Sequence, residues 1–541
     1  MHLHKPTGEN TRAGILCTVY AFILLFLLSP DSYLRDLFGR CDSAWFFTAG
    51  KAWMNGMVPY VDFADSKGPL LWLIYGIGYL LNHHSYVGVF WLSVGFYAVT
   101  LFLAYKLCRL YLSEKPSAVA IASLPFFLFF PLYHFEVRAE DFCNTFLMFT
   151  LYALCRVLHG WKGGETCSGE PGSAPSSRSF HSRIYGTCID ARHFLLLSFF
   201  VGVSWACCLM IKWNIAVMVL PLMAVFLLYS FRSRHFSLSM GGWACGALLV
   251  VVPFVLYLWR LGAFDDFLQE YFVNTTSTVG VEGEELSLTS LLGNCFGKTK
   301  TRVLVVLLLL LGLSCFAWKR GRVYWWLPVC FMALWVALTG IHCFPYYLSL
   351  TAPFFLFIII LVVRQAFLQL RWATRHTAAL CWVVAIVGIG LNAAAVQFRL
   401  GRVAGQRQAY YRACYVMAQI DRPKILCYSH DYGVGVPVGA LPACKYWAGQ
   451  NGATEEMKAE REAALEGGIP DFVVVAITAS AEADSLYERV ESAGYVYYGT
   501  TIGEYYPTFC KVYGRKGLKP APEDFRVSCW DVWLKRNIFG I

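Results

Sequence analysis

Charge-free apolar runs, close in length to a membrane span, constrain this chain more than any other feature of its sequence. The run from Val303 to Trp318 contains no charged residue and lies between Arg302 and Lys319. A helix needs about 20 predominantly apolar residues to cross a bilayer, and several runs along the 541 residues approach this length. Only 15% of the residues are charged, against about 25% in soluble domains. The sequence therefore predicts a polytopic α-helical membrane protein.

We predict about eleven transmembrane helices. The first run is not followed by a convincing small-x-small cleavage site, so we interpret it as an uncleaved signal anchor. The predicted spans are 13–30, 85–107, 117–133, 142–158, 193–210, 213–230, 240–259, 303–318, 324–341, 347–363 and 377–397.

Basic residues at the ends of these runs predict the orientation of the spans. Lys5 and Arg12 precede the first span and place the N-terminus in the cytoplasm. Every later basic cluster of a short loop then also lies inside, provided that the segment 69–82 does not cross. This segment is short and contains two glycines, so we interpret it as half-inserted or interfacial. Orientation accounts for the basic clusters, so the net charge of +10 does not indicate a nucleic-acid partner.

The region after residue 400 has a different character, because its apolar runs are short and charged residues return. Buried strands and helices alternate there, which predicts a small α/β domain at 401–541 on the outer side of the membrane, following a transmembrane domain at 1–400. The predicted strands are 424–428, 471–477, 495–502 and 508–514, and the predicted helices are 454–468 and 482–494.

Two ionisable residues, Asp42 and Lys67, lie near the two ends of the loop that follows the first span. Asp42 could be a general base, a metal ligand or the N-cap of a helix over 43–56. Lys67 could bind a phosphate as a point charge, or could be a snorkelling residue at the membrane border. Both lie on the predicted outer side.

Further ionisable and aromatic residues map to the same side. Arg138, Glu140 and Asp141 lie between two spans, where they could bind a phosphate or form a structural ion pair. His342 stands at the outer end of another span beside Tyr346 and Tyr347, which are otherwise typical of an interfacial aromatic belt. The agreement of these groups on one face predicts a site at the outer membrane surface.

The layout resembles that of the C-type glycosyltransferase superfamily over roughly residues 13–400. It is most similar to the branch of the protein O-mannosyltransferases and the lipid A aminoarabinose transferases. The motifs that carry the resemblance are Asp42 in the first outer loop, G-x-x-P-Y-x-D from Gly56 to Asp62, K-x-P-L-L from Lys67 to Leu71, the Arg138, Glu140 and Asp141 cluster, Lys212-Trp213-Asn214 between two spans, and His342 before Pro-Tyr-Tyr.

The resemblance implies transfer of a sugar, with inversion, from a polyprenyl-phosphate carrier to an outer acceptor, which is a lipid, a glycan or a protein. It implies that Asp42, Glu140 and Asp141 are catalytic, with Asp42 as the base. The donor phosphate is expected at Lys67, Arg138, His342 and Tyr346, and the acceptor or sugar at Tyr60, Asp62 and Tyr347.

No cofactor is firmly predicted, and a divalent cation is left open. The expected location is a bacterial inner membrane, with the site and the C-terminal domain on the periplasmic side.

Two other functions are compatible with a polytopic membrane protein. A transporter or flippase of lipid-linked sugars would place ionisable residues near the middle of spans, whereas here they collect at one interface. A non-catalytic membrane scaffold would bind envelope components through its C-terminal domain. No Walker A loop, HExxH motif, CxxC pair or nucleophile elbow is present in the sequence.

Overall fold

The computed structural model describes most of the first 274 residues and most of the C-terminal region. Three predicted spans, 117–133, 303–318 and 324–341, lie outside the described residues, as does nearly all of 377–397. The described ranges are 8–29, 31–32, 42–112, 138–164, 191–232, 235–274, 345–369, 407–428, 433–449, 454–477, 481–502 and 509–525, with separate positions between 379 and 394.

The membrane part consists of long apolar helices. Within the described ranges, six helices are long and apolar enough to cross a bilayer, which confirms the predicted fold class, while the total of eleven spans and their orientation stay predictions. The helices are α1 (Gly8–Leu28), α2 (Asp42–Met54), α3 (Pro69–Leu81), α4 (Val87–Tyr111), α5 (Ala139–Gly164), α6 (Ala191–Ile211), α7 (Trp213–Arg232), α8 (Phe236–Arg260), the short α9 (Phe264–Leu268), a π-helix (Gln269–Asn274), a 3-10 helix (Pro345–Thr351) and α10 (Ala352–Gln369). The six helices that could cross a bilayer are α1, α4, α5, α6, α7 and α8.

Helix α3 is the segment that the sequence predicts not to cross. Its 13 residues extend about 20 Å at 1.5 Å per residue, which is less than the hydrocarbon thickness of about 30 Å. Its two glycines serve close packing: a Cβ at Gly76 would lie 3.1 Å from the carbonyl oxygen of Gly50 on α2, and Gly78 meets Gly88 of α4 backbone to backbone. The short helix is thereby fixed between α2 and α4, and its non-crossing placement stays a prediction.

A five-stranded mixed sheet forms the centre of the C-terminal unit. The elements are α11 (Arg407–Met417), β1 (Lys424–Tyr428), a 3-10 turn (Gly433–Gly435), β2 (Leu441–Pro442), α12 (Glu455–Glu466), β3 (Phe472–Ala476), α13 (Ala481–Ser492), β4 (Val496–Ile502) and β5 (Phe509–Gly514). The strand order is β2-β1-β3-β5-β4. Strand β1 pairs in parallel with β2 and β3, while β5 runs antiparallel to β3 and β4. The four predicted strands and two predicted helices are present within two residues of their predicted ends.

One hydrophobic cluster continues from the membrane helices into this sheet. It includes Trp45 of α2, Trp72 of α3 and Trp447 from the loop after β2. Trp45 stacks on Trp447, with the ring centroids 6.1 Å apart. The C-terminal unit therefore packs directly over α2 and α3, beside the residues predicted to form the site.

Candidate active site

The start of α5 is organised by Asp141. Its Oδ2 accepts a hydrogen bond of 3.0 Å from the backbone N–H of Arg138, three residues earlier, in the manner of a capping box. Its Oδ1 accepts a hydrogen bond of 3.3 Å from the hydroxyl of Tyr97 on α4. Both oxygens of Asp141 thus hold the helix terminus, and its predicted catalytic role stays a prediction.

Arg138 and Asp42 form an ion pair across the site. The Nε of Arg138 lies 3.5 Å from Oδ2 of Asp42, in the first turn of α2. The Arg138 side chain is 6% exposed, whereas that of Asp42 is 36% exposed. Among Asp42, Glu140 and Asp141, only Asp42 is exposed enough for an outside molecule to approach its carboxylate.

Lys67 lies beside the same helix start. Its Nζ is 3.4 Å from Oδ2 of Asp65 and donates to Ser66 Oγ at 3.0 Å. It also lies 5.9 Å from the ring centre of Phe46, which is one helical turn after Asp42. Because residues four apart share a helix face, this contact brings Lys67 to the Asp42 end of α2.

The backbone after Lys67 is fixed by close contact. The N–H of Gly68 donates to the carbonyl of Ile211 at 2.9 Å, and a Cβ at this position would overlap the carbonyl of Met210. Only glycine fits there, so the Lys67-Gly68-Pro69 segment is seated on the C-terminal end of α6.

The turn before Lys67 is built by Tyr60 and Asp62. Tyr60 is fully buried and has a φ of 69°, a region that bulky residues seldom adopt. Its hydroxyl donates to the Lys67 carbonyl at 2.9 Å, and the Asp62 carboxylate accepts from the N–H of Val58 at 2.6 Å. These contacts give both side chains a structural use in placing Lys67. Their predicted contact with acceptor or sugar stays a prediction.

Glu140 is held by Lys212, a residue for which the sequence predicts no role. The Lys212 Nζ lies 2.6 Å from Glu140 Oε1 and donates to the Tyr347 hydroxyl at 3.0 Å. The Glu140 side chain is 3% exposed. Burial alone would lower the pKa of the Lys212 ammonium, but Glu140 and Tyr347 raise this pKa above its ordinary value. Lys212 is therefore charged at neutral pH and neutralises Glu140.

The three elements that meet at Lys212 each carry a further polar atom. Asn144 lies one turn after Glu140 on α5, Asn214 follows Lys212 on α7, and Ser349 follows Tyr347 in the 3-10 helix. Asn144 Oδ1, Asn214 Oδ1 and Ser349 Oγ are buried and have no hydrogen-bond partner among the residues that the structure describes. Buried polar atoms are normally satisfied by protein, water or ligand. The elements around Lys212 therefore carry three oxygen atoms that a bound polar group or a water could satisfy.

The other predicted site residues are located only in part. His342 lies outside the described residues, and of Tyr346 only the backbone, in the 3-10 helix, is described. Within the described ranges, no three His, Cys, Asp or Glu side chains converge as a metal site would require.

The chain is similar to known proteins both in part of its sequence and in its fold. Residues 66–164 match the profile of a family described as dolichyl-phosphate-mannose-protein mannosyltransferase. The fold is similar to that of ArnT from Cupriavidus metallidurans bound to undecaprenyl phosphate, at 11% identity over 94% of this chain and 98% of that chain, with a TM-score of 0.54. The apo state of that protein gives 11% identity, coverage of 93% and 98%, and a TM-score of 0.53.

A further solved structure, the apo oligosaccharyltransferase of Archaeoglobus fulgidus, is 14% identical over 96% of this chain and 75% of that chain, and its TM-score of 0.49 is too low to support an argument. No curated protein matches the sequence. The match over residues 66–164 and the similarity in fold to ArnT agree with the resemblance to C-type glycosyltransferases that the sequence motifs predict. In particular, the matching family is one of protein mannosyltransferases, which is one of the two groups that the sequence motifs resemble.

Proposed function

We propose that this chain is an inverting membrane glycosyltransferase, which moves a sugar from a polyprenyl-phosphate carrier to an acceptor on the outer side of the membrane. The observation that carries the proposal is the accessible Asp42 carboxylate, which is paired with buried Arg138, while Lys67 lies 5.9 Å from the Phe46 ring one helical turn after Asp42. A base and two cations near the start of one helix suit a reaction that removes a proton and releases a phosphate.

The two cations suit the donor phosphate. Lys67 is a point charge at the end of a fixed turn, and the planar guanidinium of Arg138 can donate two parallel hydrogen bonds to phosphate oxygens. The ArnT of similar fold has been crystallised with undecaprenyl phosphate, which supports a lipid phosphate as the ligand. The lipid tail would lie along the apolar faces of the membrane helices.

In the reaction, the acceptor hydroxyl or amine transfers its proton to Asp42. The acceptor atom then forms a bond to the anomeric carbon from the face opposite the phosphate, which inverts that carbon. The bond between the anomeric carbon and the phosphate oxygen breaks, and its electron pair leaves with the phosphate. Lys67 and Arg138 stabilise the charge that develops there.

The sugar ring would occupy the polar interior beside Lys212. Asn144, Asn214 and Ser349 offer unsatisfied oxygen atoms to which sugar hydroxyls can donate. Glu140, neutralised by Lys212, suits an orienting role better than proton abstraction. The neighbouring helices exclude water, which would otherwise compete as an acceptor.

The proposed location is a bacterial inner membrane, with residues 401–541 forming a periplasmic domain. The apolar helices make the chain a multi-pass membrane protein, and the acid and basic groups named above share one end of these helices with the C-terminal sheet. This arrangement supports a single functional face.

The proposal is tested with purified full-length protein in proteoliposomes. Undecaprenyl-phosphate-linked hexoses and pentoses are supplied one at a time, with an extract of envelope lipids and glycans as the acceptor source. Release of undecaprenyl phosphate together with a glycosylated product would support a transferase. Movement of an intact labelled donor across the bilayer without release would contradict it and favour a flippase. Binding of envelope components without turnover of any donor would favour a scaffold.

A further inference from the structure

A tripeptide of the C-terminal unit, Lys445-Tyr446-Trp447, contacts both sides of the candidate site. It lies in the loop between β2 and α12. Its own unit holds it firmly, since the N–H of Lys445 donates to Glu460 at 2.9 Å and the carbonyl of Trp447 accepts from the N–H of Cys427 at 2.7 Å. We refer to residues 445–447 as the clamp.

The first contact of the clamp is with the short helix α9 and the π-helix that follows it. Lys445 Nζ lies 2.9 Å from Glu270 Oε1 and 2.9 Å from Asp266 Oδ1. The Tyr446 hydroxyl also donates to Glu270 Oε1, while Asn274 donates to its other oxygen at 3.0 Å. The Glu270 side chain is only 4% exposed. A buried carboxylate is strongly destabilising without its donors, so this set of contacts fixes where the clamp sits.

The second contact is with the Lys67 side of the site. The carbonyl of Lys445 accepts a hydrogen bond of 3.0 Å from the N–H of Ala64. The Tyr446 side chain packs with Ala64 and Met457 in a small buried cluster. Ala64 lies three residues before Lys67, between the Tyr60 turn and the phosphate-binding lysine. The clamp therefore restrains the segment that carries Lys67.

The third contact is with the Asp42 side. The Trp447 ring stacks on that of Trp45, at a centroid distance of 6.1 Å and an interplanar angle of 20°. Trp45 is buried and lies three residues after Asp42, on the first turn of α2. Asp42 and Lys67 come from separate segments, and the clamp contacts each segment three residues away from the site residue, at Trp45 and at Ala64.

We propose that the clamp is a positioning element that sets the separation between Asp42 and Lys67, so that the C-terminal unit is part of the catalytic machinery rather than an appended domain. This inference rests on the proposed transfer reaction. A displacement of about 1 Å between reacting groups can lower a rate roughly 100-fold, so a fixed spacing between base and phosphate site matters for turnover.

Tyr446→Phe tests the clamp on the full-length protein, because it removes one hydroxyl and keeps the ring. We expect faster amide hydrogen exchange in the peptide containing Ala64 and a kcat lowered about 10- to 100-fold, with the KM for the donor changed much less. Lys445→Met should act in the same direction, and Lys445→Arg should restore most of the kcat. A matched control is Arg489→Met, which breaks a surface ion pair of 2.9 Å with Glu462 in the same unit and should leave both measurements unchanged.

The outcomes separate this inference from the proposed function. In one outcome, the wild type transfers sugar while Tyr446→Phe and Lys445→Met leave the amide exchange at Ala64 or the kcat unchanged. That result would refute the positioning role of the clamp and would leave the proposed transferase function intact. A general loss of folding would lower the activity of Lys445→Met and Lys445→Arg alike, which would also contradict a positioning role. If the wild type turns over no donor at all, the proposed function has failed, and the clamp as a catalytic positioning element fails with it.

Discussion

The Asp42 carboxylate lies 3.5 Å from the Nε of Arg138, which joins the first turn of α2 to the residue before α5. Under the proposed function, a donor phosphate that binds Arg138 would compete with Asp42 for the same guanidinium. Donor binding would in this way free the Asp42 carboxylate to accept the proton of the acceptor.

Lys67→Met should weaken the binding of undecaprenyl phosphate about 10- to 100-fold, because a hydrogen bond to a charged group contributes about 1.5–3 kcal/mol. Lys67→Arg should keep more of the affinity. The measurement is a titration of purified protein with undecaprenyl phosphate in detergent. Lys458→Met, which changes an exposed lysine of α12, is the control. Equal affinity of Lys67→Met and wild type would remove Lys67 from the phosphate site.

Lys212→Met should destabilise the protein by about 3–5 kcal/mol, because it leaves the buried Glu140 carboxylate without its cation. Adding Glu140→Gln should recover part of this loss. Since the pKa of Lys212 is raised in the folded protein, its stabilising effect is complete below pH 10.5 and is lost only as the pH rises through the raised value. Thermal unfolding in detergent measures the effect. No recovery in the double variant would contradict the pairing.

Lys51 should make the protein more stable as the pH rises, which is the opposite of the effect of Lys212. It is fully buried in α2, its Nζ lies 3.5 Å from the carbonyl of Gly435, and burial lowers its pKa from 10.5 to about 7. The unfolded chain then binds more protons between these values, so stability rises with pH across the interval, by on the order of 1 kcal/mol per unit. Lys51→Met should be more stable than wild type at pH 7, and the difference should shrink by pH 9. A difference in unfolding temperature that does not change with pH would refute this assignment.

Asn144→Leu should raise the KM for the sugar-linked donor about 5- to 100-fold, since an unmade hydrogen bond in a buried site costs about 1–3 kcal/mol. The affinity for undecaprenyl phosphate, which has no sugar, should stay as in wild type. Steady-state kinetics and the binding titration together check this. If both constants change equally, Asn144 supports the fold and does not contact the sugar.

The sequence predicts the strands of the C-terminal sheet well where they are continuous apolar runs bounded by polar residues. Lys424–Tyr428 and Phe472–Ala476 are of this kind. Strand β2 has two residues, Leu441–Pro442, and no periodic pattern can develop over that length. Helix α11 was not predicted, because its tyrosines and valine are more typical of strands.

The site is predictable only in outline. The topology predicts Asp42, Lys67 and Arg138 on one face, and the described structure pairs Asp42 with Arg138 and places Lys67 against Phe46, while their roles stay predictions. The pairing of Glu140 with Lys212 joins residues 72 positions apart, and no local pattern encodes such a contact. One signal was available: a lysine at the junction of two apolar runs is costly near hydrocarbon, so a partner for Lys212 should have been expected. Glu270 gives no comparable signal, because its partners Lys445 and Tyr446 come from the C-terminal unit.

The most direct test of the account is the Asp42→Asn variant in the transfer assay. Asparagine keeps the size of the side chain and cannot accept the proton, so we expect transfer to fall at least 100-fold, while the protein still folds and binds undecaprenyl phosphate at least as tightly as the wild type. Asp484→Asn, an exposed acid on α13, should transfer normally. Full activity of Asp42→Asn would show that Asp42 is not the base and would contradict the central claim.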